Sequence, residues 1–402
     1  MSREYDIMAA GHLCIDVIPR FPDTGAKEIG EILRPGTLVN IEEAIISTGG
    51  PVSNTGLNMK MLGKKVVFCA RVGDDDFGRL TTDFLRREGS IEGINRVPGA
   101  ASSYTIVISP PHIDRIFLHC PGTNSEFGPE DLDPDLIRQC RHFHFGYPPL
   151  MRRLYENTGE GLCEVFQIAK AAGATTSCDM TLPDPKSPSG QVNWLAVLEK
   201  ILPHVDLFLP SIEETFFMID PQACLKMKQA HNNADPIDFF TPEDYTRIAD
   251  QVLSLGSKMV SLKSGHRGFY FKTAPRNAFE GMGDARPGDP DNWSDRELWA
   301  PAFQVPKLAS ATGSGDSAIA GLLSAFLRGL TIEASLKYAT CLGWQNVQVL
   351  DAVSGIRNWD ETTEILERNM PSIDARIAAE GWKFSERHGL WSGSGDPLSR
   401  GE

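Results

Sequence analysis

From residue 50 onward the sequence alternates between helix-like segments and short apolar strand-like segments, and this alternation restricts the fold more than any other feature. Strands are predicted at residues 66–70, 142–145, 174–178, 205–209 and 259–262. Because these strands have no polar face, both faces of their sheet must be covered. The alternation therefore predicts an α/β fold with a parallel sheet between two layers of helices. In such folds ligands bind beyond the C-terminal strand ends, which are predicted here at Asp16, Asp179, Ser211, Lys263 and the loop at Gly313.

Four segments depart from this alternation. Residues 17–46 and 99–123 carry apolar residues at strand-like intervals, so we expect them to meet as a small β-sheet that forms a lid outside the main core. Residues 220–240 and 273–297 are long, polar and rich in proline and glycine, which predicts surface insertions. Residues 1–402 are therefore expected to form one domain that carries a lid.

A loop of small residues, Gly313-Ser314-Gly315, is followed by the carboxylate of Asp316 and then by an apolar helix at 318–327. Glycines let backbone N–H groups converge, and a helix that begins there adds unpaired N–H groups and the positive end of its dipole. Such a turn suits a phosphoryl group. A carboxylate at its edge is able to take the proton of an attacking hydroxyl. The alternative is that Asp316 only caps a buried helix, because Asp, Ser and Gly all favour that position.

The composition limits the partners and the compartment. Lys and Arg total 39 against 53 Asp and Glu, a net charge of −14, which argues against nucleic acid because a phosphate backbone needs positive charge. No apolar run approaches the length of a membrane span, and the N-terminus has no signal-peptide pattern. The eight cysteines include no CxxC pair, and several lie in apolar runs. We therefore expect reduced thiols in a cytoplasmic protein that does not bind membranes.

A second set of candidate residues lies near the N-terminus. Gly49 and Gly50 precede a predicted helix at 51–61, and paired glycines allow a ligand to approach the backbone closely. Asn54, one turn into that helix, offers both a donor and an acceptor, which suits a sugar hydroxyl. Asp16 is able to accept hydrogen bonds from two neighbouring hydroxyls. Each feature also has a structural alternative, a simple turn for the glycines and a cap for Asp16.

Taken together, these segments resemble the two signatures of the ribokinase-like (PfkB-type) carbohydrate kinases. The matching stretches are Thr48-Gly-Gly-Pro-Val-Ser-Asn54, Leu62-Gly63 and Arg71-Val-Gly-Asp74-Asp-Asp-Phe77-Gly78 for the N-terminal signature, and Thr312-Gly-Ser-Gly-Asp316 with Ala320-Gly321 for the C-terminal one. The resemblance covers roughly residues 5–357. It implies a three-layer α/β/α Rossmann-like core with a small β-sheet lid, and ATP-dependent phosphorylation of a sugar hydroxyl.

The resemblance also implies roles for particular residues. Asp316 is the expected catalytic base, and the expected anion hole consists of the backbone amides of Gly313, Ser314 and Gly315. The expected sugar-binding residues are Asp16, Gly49, Gly50, Asn54 and Asn124. Glu214 is expected to help hold Mg²⁺, and the expected nucleotide (ATP) pocket is lined by Lys263, Gly265, Gly268 and Asn346.

Four positions depart from the family pattern. Ser310 and Ala311 stand where family members usually carry Asp and Thr, residues that often help bind a monovalent cation, which puts potassium activation in doubt. Ser314 replaces the usual alanine of the anion hole, a tolerable change because the backbone N–H binds the anion. Ser211 replaces a common asparagine, which weakens the metal site but leaves Glu214.

Other functions would call for other residues. His142 and His144 lie on one strand face, but no acidic or cysteine residue is spaced to complete a zinc site. The sequence has no GxxxxGK[ST], GxGxxG or HExxH motif. A nucleoside kinase of the same family is the second hypothesis, and it calls for a stacking aromatic near Asp16, such as Tyr104 or Phe117. The third is a catalytically weak regulatory protein that binds a sugar or nucleotide, against which the intact loop before Asp316 argues.

The lid also bears on assembly and on the substrate. In the family that this chain resembles, lids often meet across a two-fold axis, and residues 19–46 contain more apolar residues than one sheet face requires. We therefore expect a homodimer formed through the lid. A phosphorylated sugar is not the expected substrate, because the lid offers Arg34 and Arg115 but no dense cluster of cations.

Overall fold

The computed structural model describes residues 3–113, 115–231, 235–368, 370–377 and 379–401. Its strands are β1 (Tyr5–Gly11), β2 (Cys14–Arg20), β3 (Glu42–Gly49), β4 (Val66–Gly73), β5 (Ser90–Val97), β6 (Tyr104–Ile108), β7 (Ile116–Cys120), β8 (Cys140–Gly146), β9 (Thr175–Asp179), β10 (Leu207–Phe208), β11 (Met259–Lys263), β12 (Phe269–Thr273), β13 (Glu297–Ala300), β14 (Lys383–Ser385) and β15 (Leu390–Ser392). Its helices are α1 (Ile29–Ile32), α2 (Pro51–Met61), α3 (Asp76–Arg86), α4 (Pro134–Arg138), α5 (Arg152–Ala171), α6 (Trp194–Ile201), α7 (Ile212–Ile219), α8 (Pro221–Ala230), α9 (Pro242–Ser254), α10 (Pro290–Trp293), α11 (Ser314–Leu327), α12 (Ile332–Asn346), α13 (Trp359–Glu367) and α14 (Pro397–Gly401).

Local sequence explains where several helices begin. Asp75, Thr241 and Thr331 each accept a hydrogen bond from a first-turn backbone N–H, at the start of α3, α9 and α12. Proline stands at the first position of α2 and of α9, where no helical hydrogen bond is lost. Every residue of α11 from Asp316 to Leu327 is buried, so this helix lies inside the molecule and not on its surface.

The main sheet of the described chain has eleven strands in the order β14-β15-β13-β12-β11-β10-β9-β8-β1-β4-β5. Neighbouring strands are parallel from β11 to β5 and antiparallel from β11 to β14. Two apolar cores cover it, one around Phe143 and Phe166 and the other around Phe68 and Phe326. Burial on both faces is the reason that its strands lack a polar face, and it confirms the predicted α/β fold with helices on both sides. The prediction of a parallel sheet holds only from β11 to β5, because the strands from β12 to β14 make the sheet mixed.

A second sheet, in the order β3-β2-β6-β7, lies largely in the two segments predicted to form a lid, and we call it the lid. The N-terminal stretch, for which a strand end was predicted at Asp16, forms two strands, β1 and β2, that lie in different sheets. The chain leaves the main sheet after Gly11, which has φ +116° and where a Cβ would lie 2.4 Å from the carbonyl oxygen of Gly146. Asp16 lies within β2, opposite Ser47 of β3. The prediction that Asp16 ends a strand of the main sheet is thus corrected.

Both predicted insertions contain regular structure. In the first, α8 occupies 221–230, and residues 232–234 lie outside the described residues. The second, between β12 and β13, buries Phe279 and Trp293, and the Trp293 indole N–H donates to the carbonyl oxygen of Leu330 at 3.0 Å. This segment covers the core with apolar side chains, so a description as a surface insertion fits only part of it. Beyond Gly381, β14 and β15 extend the main sheet next to β13.

A buried ion-pair network attaches this C-terminal tail to the sheet. Asp396 accepts hydrogen bonds from the Arg296 guanidinium at 3.0 Å and from the Glu297 N–H at 2.8 Å, and Arg296 also pairs with Glu333 at 2.7 Å. We expect Asp396→Ala to lower the free energy of unfolding by about 3 kcal/mol, because the variant removes one partner of a buried charge. Denaturant unfolding measures this change. The exposed Glu386→Ala in the same tail is the control, and equal stability of both variants would contradict the role of the network.

Candidate active site

Asp316 lies in the first turn of α11. Gly313 caps that helix in the left-handed conformation, with φ +74°, and a Cβ at this position would lie 2.3 Å from the Cβ of Ala352. Both facts require glycine there. The N–H of Ser314 donates to the carbonyl oxygen of Ala311 at 3.3 Å, which closes the turn. The carboxylate therefore lies beside the N-terminal amides of a buried helix, where the dipole favours negative charge.

Three side chains from distant parts of the chain contact the Asp316 carboxylate. Nδ2 of Asn54, in α2, donates to Oδ2 at 2.9 Å across 262 residues of sequence. The Tyr147 hydroxyl donates to the same oxygen at 3.0 Å. The Thr55 hydroxyl reaches Oδ1 at 3.5 Å. Oδ2 thus accepts two good hydrogen bonds, and Oδ1, which has the longer contact, is the oxygen better placed to accept a proton.

Burial governs the acid–base properties of this group. Desolvation raises the pKa of Asp316 above its usual range, and the Asn54 hydrogen bond, the Lys263 charge and the Tyr147 hydrogen bond oppose that increase. Desolvation also raises the pKa of Tyr147 well above its ordinary value. Tyr147 therefore stays protonated and acts as a donor to the carboxylate.

A buried cation lies next to the glycine-rich turn. Lys263, the last residue of β11, donates from Nζ to Oδ1 of Asp179 at 2.5 Å. Its Nζ lies 3.4 Å from the position that a Cβ on Gly315 would occupy. Burial lowers the pKa of Lys263, but the charges of Asp179 and Glu214 outweigh it, so the pKa is raised and the amine stays charged. Positive charge is thus held beside the amides of the turn.

The paired glycines face Asp16 and His12. A Cβ on Gly49 would lie 2.2 Å from Oδ2 of Asp16, so the glycine leaves the space that the carboxylate occupies. Gly50 has φ +85°, and a Cβ there would lie 2.5 Å from the carbonyl oxygen of His12. Desolvation raises the pKa of Asp16. Three of the predicted sugar-binding residues therefore lie together, and Asn54 connects them to Asp316.

A family model described as "pfkB family carbohydrate kinase" matches residues 6–358. The chain belongs to this family. It spans about half the length of the curated relatives that it matches first: fructokinase-2 of Solanum lycopersicum is 29% identical over 188 residues, which are 46% of this chain and 53% of that protein.

Solved structures share the fold of this PfkB-family protein at low identity. Arabidopsis thaliana ribokinase complexed with ribose and ATP has a TM-score of 0.67 and 15% identity, over 91% of this chain and 99% of that one. Xylella fastidiosa fructokinase with bound ATP has a TM-score of 0.66 and 18% identity, over 90% and 98%. These matches confirm the ribokinase-like fold.

Among the described residues, no helix combines the length and apolar character needed to cross a membrane.

The Asn124 side chain of this PfkB-family protein forms hydrogen bonds with the protein's own backbone. It is fully buried, its Nδ2 donates to the carbonyl oxygen of Leu13 at 2.9 Å, and its Oδ1 accepts from the Leu13 N–H at 3.4 Å. Leu13 lies between His12 and Cys14, directly before β2. This placement lets Asn124 hold the backbone that leads into β2, and the direct sugar contact that the resemblance implies stays a prediction.

The residues expected around the nucleotide fall in two places. The Nδ2 of Asn346 lies 3.7 Å from the position of a Cβ on Gly313, so Asn346 adjoins the glycine-rich turn. Gly265 and Gly268 lie in the turn between β11 and β12. Gly268 has φ +104°, and a Cβ there would lie 2.1 Å from the carbonyl oxygen of Ala300. The geometry of this turn is by itself a sufficient reason for glycine at 268.

Sequence reasoning did not single out Tyr147, Thr55 or His12 as site residues. Tyr147 directly follows β8, and its position after an apolar strand was an available signal. Its backbone has φ +62°, a left-handed conformation that is rare outside glycine and is found preferentially at functional positions. That conformation brings its hydroxyl to Asp316, and nothing in the local sequence indicates it.

The described residues contain no group of three or more His, Cys, Asp or Glu side chains that is arranged to hold a metal ion. His142 and His144 both hydrogen-bond to the buried Ser177 hydroxyl, at 2.7 and 2.8 Å, so they belong to the sheet interior. Glu214 accepts from the Ser211 N–H through Oε2 at 2.7 Å and lies near Lys263. A single carboxylate fits Mg²⁺, which keeps several waters and takes phosphate oxygens as further ligands.

Proposed function

We propose that this protein transfers the γ-phosphoryl group of ATP to a hydroxyl of a sugar. The observation that carries the proposal is the hydrogen bond between Asn54 and Asp316, which joins the paired-glycine turn to the glycine-rich turn. A sugar needs paired donors and acceptors, and a phosphoryl group needs amides and positive charge. Phosphoryl transfer depends mainly on holding these two ligands side by side, with a base between them.

In the proposed reaction the sugar hydroxyl lies between Asp16 and Asp316. Asp316 takes its proton at Oδ1 while the hydroxyl oxygen bonds to the γ-phosphorus and the bond to the β–γ bridging oxygen breaks, which releases ADP. The anion-hole amides and the Lys263 ammonium neutralise charge on the transferred group. Glu214 would help hold Mg²⁺, which would supply the further positive charge that the phosphates need.

Removing a hydrogen bond to Asp316 is expected to move the acid limb of kcat to higher pH. The base acts in its ionised form, so the rate falls as the pH drops through its pKa. Asn54→Ala and Tyr147→Phe each delete a donor that favours the ionised form. Each is expected to raise the pKa by about 1–2 units, since a hydrogen bond to a charged group is worth about 1.5–3 kcal/mol.

The pH dependence of kcat measures this shift. Thr55→Val is the matched comparison, because its contact with Oδ1 is longer, at 3.5 Å, and predicts a smaller displacement of the acid limb. Acid limbs that coincide with that of the wild type in both Asn54→Ala and Tyr147→Phe would show that these donors do not act on the base.

Coupled ADP release across hexoses, pentoses, sugar acids and nucleosides tests the proposed function. We expect sugar-dependent release of ADP with at least one sugar. Turnover of nucleosides alone would replace the proposal by a nucleoside kinase. The Tyr104 ring, a candidate for stacking on a nucleoside base, packs instead against Phe77, with ring centroids 5.1 Å apart. Binding of a sugar or nucleotide without turnover would indicate a regulatory protein.

We propose further that no monovalent cation is required. Ser310 and Ala311 together carry one side-chain oxygen, and that oxygen accepts a hydrogen bond from Arg115 at 2.9 Å. Initial rates in sodium and potassium chloride at equal ionic strength are therefore expected to agree, and activation by potassium would refute this point.

We also propose a homodimer formed through the lid. Phe117 and Leu118 of β7 are half exposed, and Leu38, in the lid segment 17–46, is 91% exposed. Apolar side chains gathered on a lid are more stable against a second copy than in water. Light scattering after size exclusion is expected to give a dimer for the wild type and a monomer for the double variant Phe117→Glu, Leu118→Glu, and a monomeric wild type would refute the dimer.

A further inference from the structure

The lid contacts the glycine-rich turn through an arginine. Arg115 directly precedes β7, and its Nη1 donates to Oγ of Ser310 at 2.9 Å and also to Oγ1 of Thr312. Its guanidinium lies over the Phe117 ring, 5.9 Å from the centroid. Ser310 is buried, so the contact is sheltered from water. Arg115 thus connects the lid to the segment that leads into the anion hole.

Hydrogen bonds determine the shape of that segment. Oγ of Ser310 also accepts from the Thr312 N–H at 3.1 Å, and the Ser310 N–H donates to the carbonyl oxygen of Val347 at 3.3 Å. The Ser314 hydroxyl donates to the carbonyl oxygen of Ala311 at 2.9 Å. Residues this small bury little apolar surface, so hydrogen bonds and not packing hold the turn in place.

The same part of the lid contacts the sugar side of the site. β6 and β7 form an antiparallel pair, and His119 of β7 lies with its Nε2 3.4 Å from Nε2 of His12. The other ring nitrogen of His119 lies 3.0 Å from the Thr105 hydroxyl of β6. Thr105 is the residue of β6 that pairs with Asp16 of β2. One two-stranded unit therefore touches both the residues around the paired glycines and the glycine-rich turn.

We propose that Arg115 is a positioning residue that couples closure of the lid to the arrangement of the anion-hole amides, an inference that rests on the proposed function. With the lid closed, the guanidinium holds the hydroxyls of Ser310 and Thr312 and thereby the amides that follow. With the lid open, both hydroxyls lose this donor and the turn loosens. The anion hole is then complete only when the lid covers the site. This arrangement limits ATP hydrolysis, the wasteful transfer of the phosphoryl group to water.

Arg115→Ala is expected to lower kcat by about 10²-fold, the loss that a displacement of about 1 Å at a reacting centre causes. It is also expected to raise the ratio of ATP hydrolysis to sugar phosphorylation. Arg115→Lys has one ammonium in place of a forked guanidinium, so its kcat is expected to lie between those of the wild type and of Arg115→Ala. Methylguanidinium added to Arg115→Ala is expected to restore part of kcat. A kcat and a hydrolysis ratio equal to those of the wild type in Arg115→Ala would overturn the proposal.

Arg34→Ala is the matched control. Arg34 lies in the other lid segment, is exposed and donates to the carbonyl oxygen of Gly30 within that segment, at 3.4 Å. Its removal is expected to leave kcat and the hydrolysis ratio unchanged. A loss in Arg34→Ala as large as that in Arg115→Ala would mean that any lid cation suffices, which would also overturn the proposal.

Two further measurements separate this coupling from a general loss of structure. The double variant Arg115→Ala, Thr312→Val is expected to lose no more activity than the more impaired single variant, and additive losses would contradict the coupling. Hydrogen exchange of amides 312–316 is expected to become faster in Arg115→Ala but not in Arg34→Ala. Exchange requires no catalysis, so unchanged exchange refutes the coupling, whereas a wild type without turnover refutes only the proposed function.

Discussion

Asp316→Asn is expected to lower kcat by about 10²–10⁴-fold, the range typical of a lost general base. The amide cannot accept the proton of the attacking hydroxyl, although it has nearly the same shape as the carboxylate. Its side-chain oxygen is still able to accept from Asn54 and Tyr147, which now contact Oδ2 at 2.9 and 3.0 Å. Steady-state kinetics with saturating ATP and sugar measure the loss.

The same variant is expected to fold and to bind ATP normally. Because burial raises the pKa of Asp316, the folded protein disfavours the charge, and a neutral amide is expected to leave the melting temperature unchanged or higher. Calorimetric titration with ATP checks binding. Asp83→Asn, an exposed carboxylate on α3, is the control for the removal of a charge. Wild-type kcat in Asp316→Asn would exclude Asp316 as the base.

Asp16→Ala is expected to lower kcat/KM for the sugar by about 10²-fold, mainly through KM. Two hydrogen bonds from sugar hydroxyls to a carboxylate are worth about 1.5 kcal/mol each or more, and they act in the ground state and the transition state alike. The KM for ATP is expected to change little, since the proposed role of Asp16 is to bind the sugar and not the nucleotide. Saturation curves for the sugar and for ATP, measured on Asp16→Ala and on the wild type, give this comparison.

Gly49→Ala provides an independent route to the same loss. Its Cβ would lie 2.2 Å from Oδ2 of Asp16 and would displace the carboxylate without removing it. Glu43→Gln, an exposed side chain in the same strand β3, is the control and is expected to bind sugar normally. An unchanged sugar dependence in Asp16→Ala would remove Asp16 from the site, whatever the effect of Gly49→Ala.

The central parallel strands of the main sheet are predictable from the sequence because they are buried on both faces, whereas β5 and the antiparallel strands β12–β15 were not predicted. Strand β11 and helix α2 lie at or within one residue of the limits that the pattern predicts. The lid was predicted as two strand-rich segments, but the division of the first strand between two sheets was not. That division depends on the close contact between Gly11 and Gly146, at the point where the ends of β1 and β8 lie side by side.

The sequence by itself determined the local parts of the candidate site, which are the left-handed cap at Gly313 and the carboxylate that follows it at Asp316. These depend on the backbone preferences of a few neighbouring residues. The tertiary structure alone decided that Tyr147 turns toward Asp316, that Asn124 serves the backbone of Leu13, and that Arg115 reaches Ser310. Such contacts form because α2 and α11 pack on the same face of the sheet and the lid folds over them, and no local preference encodes a distance between segments so far apart in sequence.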